Sequence, residues 1–168
     1  MQNTRNPLIF VVIESPIYNN LVVGFLKSRK YNNVMSFNRG QESLEHLKLN
    51  PDIFVCSYGM EDLNGMELMR KVKAELPDTD FFFLSGQNDV EVAVNIVKHG
   101  AADYIVKNDK ALAKLARSID QTVNTVKSVK VKKGFKIGVI GFFIILFVII
   151  MIILSLAVFF PDDFSFTF

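Results

Sequence analysis

The stretch that most limits what this chain can become is Ile137 to Phe160, IGVIGFFIILFVIIMIILSLAVFF, which runs without a charged side chain. As a helix it rises about 36 Å, enough to cross a hydrocarbon core of about 30 Å with some tilt. A globular core rarely needs a helix so long and apolar on every face. In lipid, by contrast, a helix satisfies all of its own backbone groups. Lys127, Lys130, Lys132, Lys133 and Lys136 crowd its N-terminal side, whereas Asp162 and Asp163 follow it and no basic residue does. The positive-inside rule then puts everything up to about residue 134 on the cytoplasmic side. The span is the last element of this sequence, so the expectation is a tail-anchored protein.

Of the 168 residues, those before the span suffice for one domain of ordinary size. The formal charge of +2 hides an asymmetry, because the basic residues concentrate just ahead of the apolar stretch. That cluster suits either topology alone or anionic lipid head groups, at about 1 kcal/mol per basic residue near the surface, and nucleic acid is not expected as a partner. Cys56 is the one cysteine and lies in an apolar run, which excludes an intramolecular disulfide and a CxxC metal motif. The N-terminus, MQNTRNPLIF, has one Arg and a short apolar run broken by Glu14, so it does not read as a signal peptide. The expected division is a folded domain over 1–126, a basic extension over 127–136, the span over 137–160 and a short tail over 161–168.

Within the folded part, apolar runs and helical stripes alternate. LIFVVI (Leu8 to Ile13) is apolar on both faces and follows Pro7, as suits a strand covered on both sides. Pro16 takes a first-turn position with Ser15 as N-cap, predicting a helix towards Lys30. Strands are expected at 33–37, 52–57, 79–85 and 103–107. Helices are expected at 41–49, after Asn64-Gly65, at 89–98, and from about Lys110, with Asp109 as its cap. Five strand–helix alternations with short connections predict a doubly wound α/β sandwich with right-handed crossovers. Such sheets place function at the carboxyl ends of their strands, here Glu14, Ser57, Ser85 and Lys107.

At these ends stand FFFLSGQND, HGAADYIVK and LNGMELMRKVK. In this order and on these elements they resemble the receiver domain of bacterial response regulators, over about Leu8 to Val126. The resemblance implies a flavodoxin-like sheet of order 2-1-3-4-5. It also implies phosphoryl transfer to an Asp at the end of the third strand, aided by magnesium held by that Asp and an acidic pair after the first strand.

The departures fall on that chemistry. The acceptor position, within DIFVCSYGMEDLNG, is Ser57, and the acidic pair is Ile13-Glu14. Magnesium demands an octahedral oxygen shell at short range, so Glu14 alone should bind it weakly or not at all, and no cofactor is expected. A serine hydroxyl without an adjacent base is a poor nucleophile. Asn108 stands where the family often has a proline. Ser85, Tyr104 and Lys107 occupy the positions of the family's switch hydroxyl, rotating aromatic and phosphate-binding lysine. With the acids lost, Glu14 is the natural counter-charge for Lys107.

Two surfaces are expected to meet partners. Val92 and Ile96 fall off the predicted buried stripe Val90, Ala93, Val94 and Val97, on the helix that forms part of the usual dimer or output face in the family. Leu112, Leu115, Ile119, Thr122, Val126 and Val129 form a weak heptad seam. The reading is a non-catalytic pseudo-receiver on the cytoplasmic face of the bacterial inner membrane. It would act through protein contacts, a homodimer being one arrangement, with its partner and pathway open. The competing reading is an atypical phosphoacceptor in a membrane phosphorelay. A flavodoxin-like binder of a small ligand is disfavoured, since no glycine-rich phosphate loop follows Ile13.

Overall fold

The computed structural model describes the backbone of residues 6–87 and 89–159, and the side chains of 6–87, 89–124 and 142–152. It divides into two units, Met1–Asn124 and Thr125–Phe168. The first holds strands β1 (Ile9–Val12), β2 (Val34–Phe37), β3 (Ile53–Ser57), β4 (Asp80–Ser85) and β5 (Asp103–Val106). Between them run helices α1 (Pro16–Ser28), α2 (Gly40–Glu45), α3 (Gly65–Glu75) and α4 (Val90–Lys98), and α5 begins at Ala111 and continues to Phe159. All strand pairs are parallel, in the order β2-β1-β3-β4-β5. The expected fold is therefore present in the first unit.

Every residue of β1 and β3 is buried, because helices cover both faces of a parallel sheet. The two faces differ in kind. On one, Phe10, Phe37, Phe54, Phe81 and Phe83 pack with Leu68, Met69, Val72 and Ile96. Phe54 stacks on Phe81 at 4.8 Å, and Phe10 meets Phe37 at 4.9 Å and Phe54 at 5.3 Å. On the other, aliphatic Ile9, Val11, Ile13, Val55 and Leu84 meet Val22 and Leu26 of α1 and Leu115 and Ile119 of α5. Each such side chain taken fully from water contributes about 1.5–3 kcal/mol.

Local signals set most of the ends. Ser15 Oγ accepts from Tyr18 N and Pro16 opens α1, while Asp89 accepts from Glu91 N and Val92 N to cap α4. The helix expected over 41–49 stops at Glu45, and Leu47–Leu49 tightens into a 3-10 turn ending at left-handed Asn50. Before α5 the turn is closed by Asn108 rather than Asp109, since Asn108 Oδ1 accepts from Lys110 N.

The phase of α4 differs from expectation. Ile96 is fully buried, Val92 is half-buried against the aromatic face, and Val90, Val94 and Val97 are exposed at 72, 48 and 49 %. Val92 and Ile96 are thus the inner stripe and cannot be a partner face. Both stripes are apolar, and the bulkier Ile96 reaches the space between Ala101, Tyr104 and the phenylalanines. Leu115 and Ile119 of the expected seam are likewise buried in the domain, and the side chains of Val126 and Val129 lie outside the described residues.

Among the described residues no helix is long and apolar enough to cross a membrane. Residues 142–152 are apolar and exposed. The side chains of 137–141 and 153–160, the rest of the expected span, lie outside the described residues, as do those of the basic 127–136 and the tail 161–168.

Gly65 is where backbone meets backbone most closely. A Cβ there would stand 2.5 Å from Ser57 O and 2.8 Å from Phe83 Cε1, and its N–H closes the loop by donating to Tyr58 O at 2.9 Å. Gly65→Ala is expected to cost about 1–3 kcal/mol by overpacking, read as a lower urea midpoint at unchanged slope.

Candidate functional site at the carboxyl edge of the sheet

The strand ends bring Ile13, Glu14, Ser57, Ser85 and Lys107 to one edge, but their side chains do not share one environment. Ile13 is fully buried in the aliphatic core. Its carbonyl accepts from Asn19 Nδ2 at 3.1 Å and from Asn38 Nδ2 at 3.1 Å. Glu14 is exposed. Ser57 is buried at the end of β3, and its hydroxyl makes no hydrogen bond among the described residues. Asp62, in the following loop, is committed to Gln41 N at 2.9 Å.

Ser85 and Tyr104 are joined through Gln87. Ser85 Oγ accepts from Gln87 N at 3.1 Å, and the Tyr104 hydroxyl donates to Gln87 O at 3.0 Å. Tyr104 is buried, with Tyr58 edge-on at 6.5 Å. The two hydrogen bonds hold the peptide units on either side of Gln87 in the loop between β4 and α4. That loop leads directly into the exposed valines of α4.

Lys107 does not pair with Glu14, contrary to expectation. Its Nζ sits 4.5 Å over the ring of Tyr18, a cation–π contact, and it makes no ion pair among the described residues. Tyr18 reaches it from the first turn of α1, where Ser15 caps the helix. An aromatic face thus replaces a carboxylate as the ammonium's partner, at about 0.5–2 kcal/mol depending on exposure. Burial lowers the Lys107 pKa from its usual range and raises that of Tyr18.

Asn19 was not singled out by sequence patterning. It is buried on the stripe Asn19, Val22, Leu26 of α1, and its Nδ2 also donates to Phe37 O at 2.8 Å. One amide therefore ties α1 to the ends of β1 and β2. Its Oδ1 is buried without a hydrogen-bond partner among the described residues. The available signal was an amide at a position whose helical neighbours are core aliphatics.

Positions 13, 14 and 57 are those at which a receiver's magnesium ligands would stand. Position 13 offers a core aliphatic, position 57 a hydroxyl, and Glu14 points from an exposed site. Among the described residues no group of three or more His, Cys, Asp or Glu could hold a metal ion.

The sequence profile of the response regulator receiver domain matches residues 9–120. The chain belongs to the receiver domain family. Among curated proteins it is 29 % identical over 69 residues to the regulatory protein LuxO of Vibrio vulnificus YJ016, covering 40 % of this chain and 15 % of that one. It is 24 % identical over 137 residues to the transcriptional regulatory protein ZraR of Escherichia coli K12, covering 79 % and 31 %. The chain therefore spans less than a third of the length of these regulators. Among solved structures it resembles a response regulator receiver protein from Pseudomonas putida (TM-score 0.62, 25 % identity, 69 % of this chain and 97 % of that one). The receiver of a LuxO repressor protein from Vibrio parahaemolyticus shares the fold (TM-score 0.68, 17 % identity, 75 % and 96 %).

The Lys107 environment gives a signed expectation. Its folded-state pKa is below the unfolded value of about 10.4, so the partly buried ammonium costs stability at neutral pH, and the cost fades as pH rises through the folded pKa. Urea melts of the wild type and Lys107→Met at pH 7 and pH 10 should show the wild type gaining on the variant at the higher pH.

Proposed function

We propose that this chain is a receiver without phosphotransfer chemistry, anchored by residues 137–160 to the bacterial inner membrane with its domain cytoplasmic, and acting through protein–protein contacts. The observation that carries this is Ile13, sealed in the core where the family's first acid would stand, with Ser57 at the acceptor position. Neither side chain can donate a carboxylate oxygen to magnesium or accept a phosphoryl group as an aspartate does. Three other polar groups of the edge are engaged in contacts that hold structure: Lys107 on Tyr18, and Ser85 and Tyr104 on Gln87. On this reading the protein is not an enzyme, needs no cofactor and does not bind nucleic acid. Its receiver recruits or scaffolds a protein partner at the membrane.

The anchor is supported by the uncharged run of 137–160 and the lysines ahead of it. On expression in a bacterial host, the full chain should stay with the membranes through alkaline carbonate washing, and a chain truncated at residue 126 should be soluble. Release of the full chain by the wash would remove the anchor.

The retained positions of Ser85, Tyr104 and Lys107 favour one alternative, an atypical phosphoacceptor relaying a signal at the membrane. Incubating the chain with magnesium and a small-molecule phosphodonor, then measuring intact mass, separates the two. The pseudo-receiver reading expects an unchanged mass. Addition of a phosphoryl group at a mapped residue would establish the relay instead.

A further inference from the structure

Helices α1 and α5 both run back from the carboxyl edge of the sheet to the edge where the strands begin. They meet there: the Tyr31 hydroxyl, in the turn after α1, donates to the Asp120 carboxylate of α5. That turn is cationic. Lys27, Arg29 and Lys30 are all exposed, and none of them makes an ion pair among the described residues. Further along the same edge, at the start of β4, the sign changes. Burial raises the Asp80 pKa, Lys73 lowers it, and neighbouring Asp52 and Asp78 raise it further.

Two observations set this turn apart from ordinary solvated lysines. The first is its backbone. Lys30 has φ 71°, the left-handed region that a residue with a Cβ enters at a cost, just past a helix cap where Gly or Asn is usual. The other positive φ angles among the described residues belong to Asn50 and Gly100, which suit them. The helix dipole accounts for Lys27 in the last turn, and a glycine at 30 would relieve the strain without touching that contact. The second observation is location. From beside this turn α5 continues as a helix to Phe159, through the five lysines of 127–136 and into the uncharged run of 137–160.

We propose that Lys27, Arg29 and Lys30 dock the domain on the anionic lipid head groups of the membrane that holds it. This rests on the anchor reading above. Head-group phosphate oxygens accept charge-assisted hydrogen bonds from a guanidinium and two ammonium groups. Each basic residue near an anionic surface favours contact about fivefold, so three favour the docked state about a hundredfold. The anchor makes docking an intramolecular step, which needs no further affinity to bring domain and bilayer together. The carboxyl edge, at the other end of the strands, then stays open to a protein partner.

Short-range quenching in the full chain tests the contact. Cys56 is fully buried and burial raises its pKa, so a single introduced cysteine takes the label. A bimane fluorophore is attached at Asn32→Cys, exposed in the cationic turn, or at Glu61→Cys, exposed at the carboxyl edge. The chain is reconstituted into vesicles of phosphatidylcholine, alone or mixed with phosphatidylglycerol, carrying a lipid with a nitroxide on its head group. Quenching at Asn32→Cys should be at least about fivefold greater with phosphatidylglycerol than without. It should fall to the neutral-vesicle level at about 1 M salt, where the screening length is about 3 Å, and Glu61→Cys should stay unquenched in both. Lys27→Gln, Arg29→Gln and Lys30→Asn together remove the charge and keep a residue suited to the left-handed turn. That variant, with the lysines of 127–136 intact, should lose the quenching without a lower urea midpoint. Quenching that it retains would assign the lipid contact to those lysines and overturn the proposal, as would equal quenching in the two vesicles or at the two labels. A response of the Asn32→Cys label to polyglutamate and to neither vesicle would place an acidic protein there instead. A chain that floats with neither vesicle overturns the anchor and this docking with it, whereas one that floats with both and shows no lipid-dependent quenching overturns the docking alone.

Discussion

A parallel sheet covered on both faces leaves only its edges and strand ends for contact with anything else, and the organisation of the first unit follows from that burial. The faces are filled differently, with most of the phenylalanine rings on the α2–α4 side and branched aliphatics around Phe82 and Tyr31 on the α1–α5 side. Alternation along each strand enforces the split: in β1, Ile9 and Val11 point one way, and Phe10 and Val12 the other. Ile13 continues the aliphatic series by one residue, carrying the core to the carboxyl end of β1.

The carboxyl edge is held together by contacts of other kinds. Without a nearby carboxylate, Lys107 takes the π-face of Tyr18. Asn19 and Asn38 both donate to the carbonyl of Ile13, so the backbone at the end of β1 is fixed by amides. The loop after β4 is fixed by Ser85 and Tyr104 through Gln87. At this edge Lys107, Ser85 and Tyr104 are thus engaged in internal contacts.

Strand order, element identity and the positions of Ser57, Ser85, Tyr104 and Lys107 were legible because continuous apolar runs, proline and glycine punctuation and motif spacing all act locally. The face of α4 was not. Val90, Val94 and Val97 make as good a stripe as Val92 and Ile96, and only the space above Phe81 and Phe83 decides between them. The partner of Lys107 was also hidden, since charge pairing in sequence suggests Glu14 while geometry supplies Tyr18. Asn19 was missed because its value lies in two carbonyls, one of them on a strand 18 residues away.

The chain has four tyrosines and no tryptophan. Tyr18 lies under an ammonium, Tyr104 donates to Gln87 O with Tyr58 edge-on to it, and Tyr31 donates to the Asp120 carboxylate. Three of the four therefore sit around the carboxyl edge, and the fourth reports the contact between α5 and the turn that follows α1. The near-ultraviolet spectrum of this protein is in effect a label already installed at its site, sensitive to any event that moves Lys107 or the loop after β4.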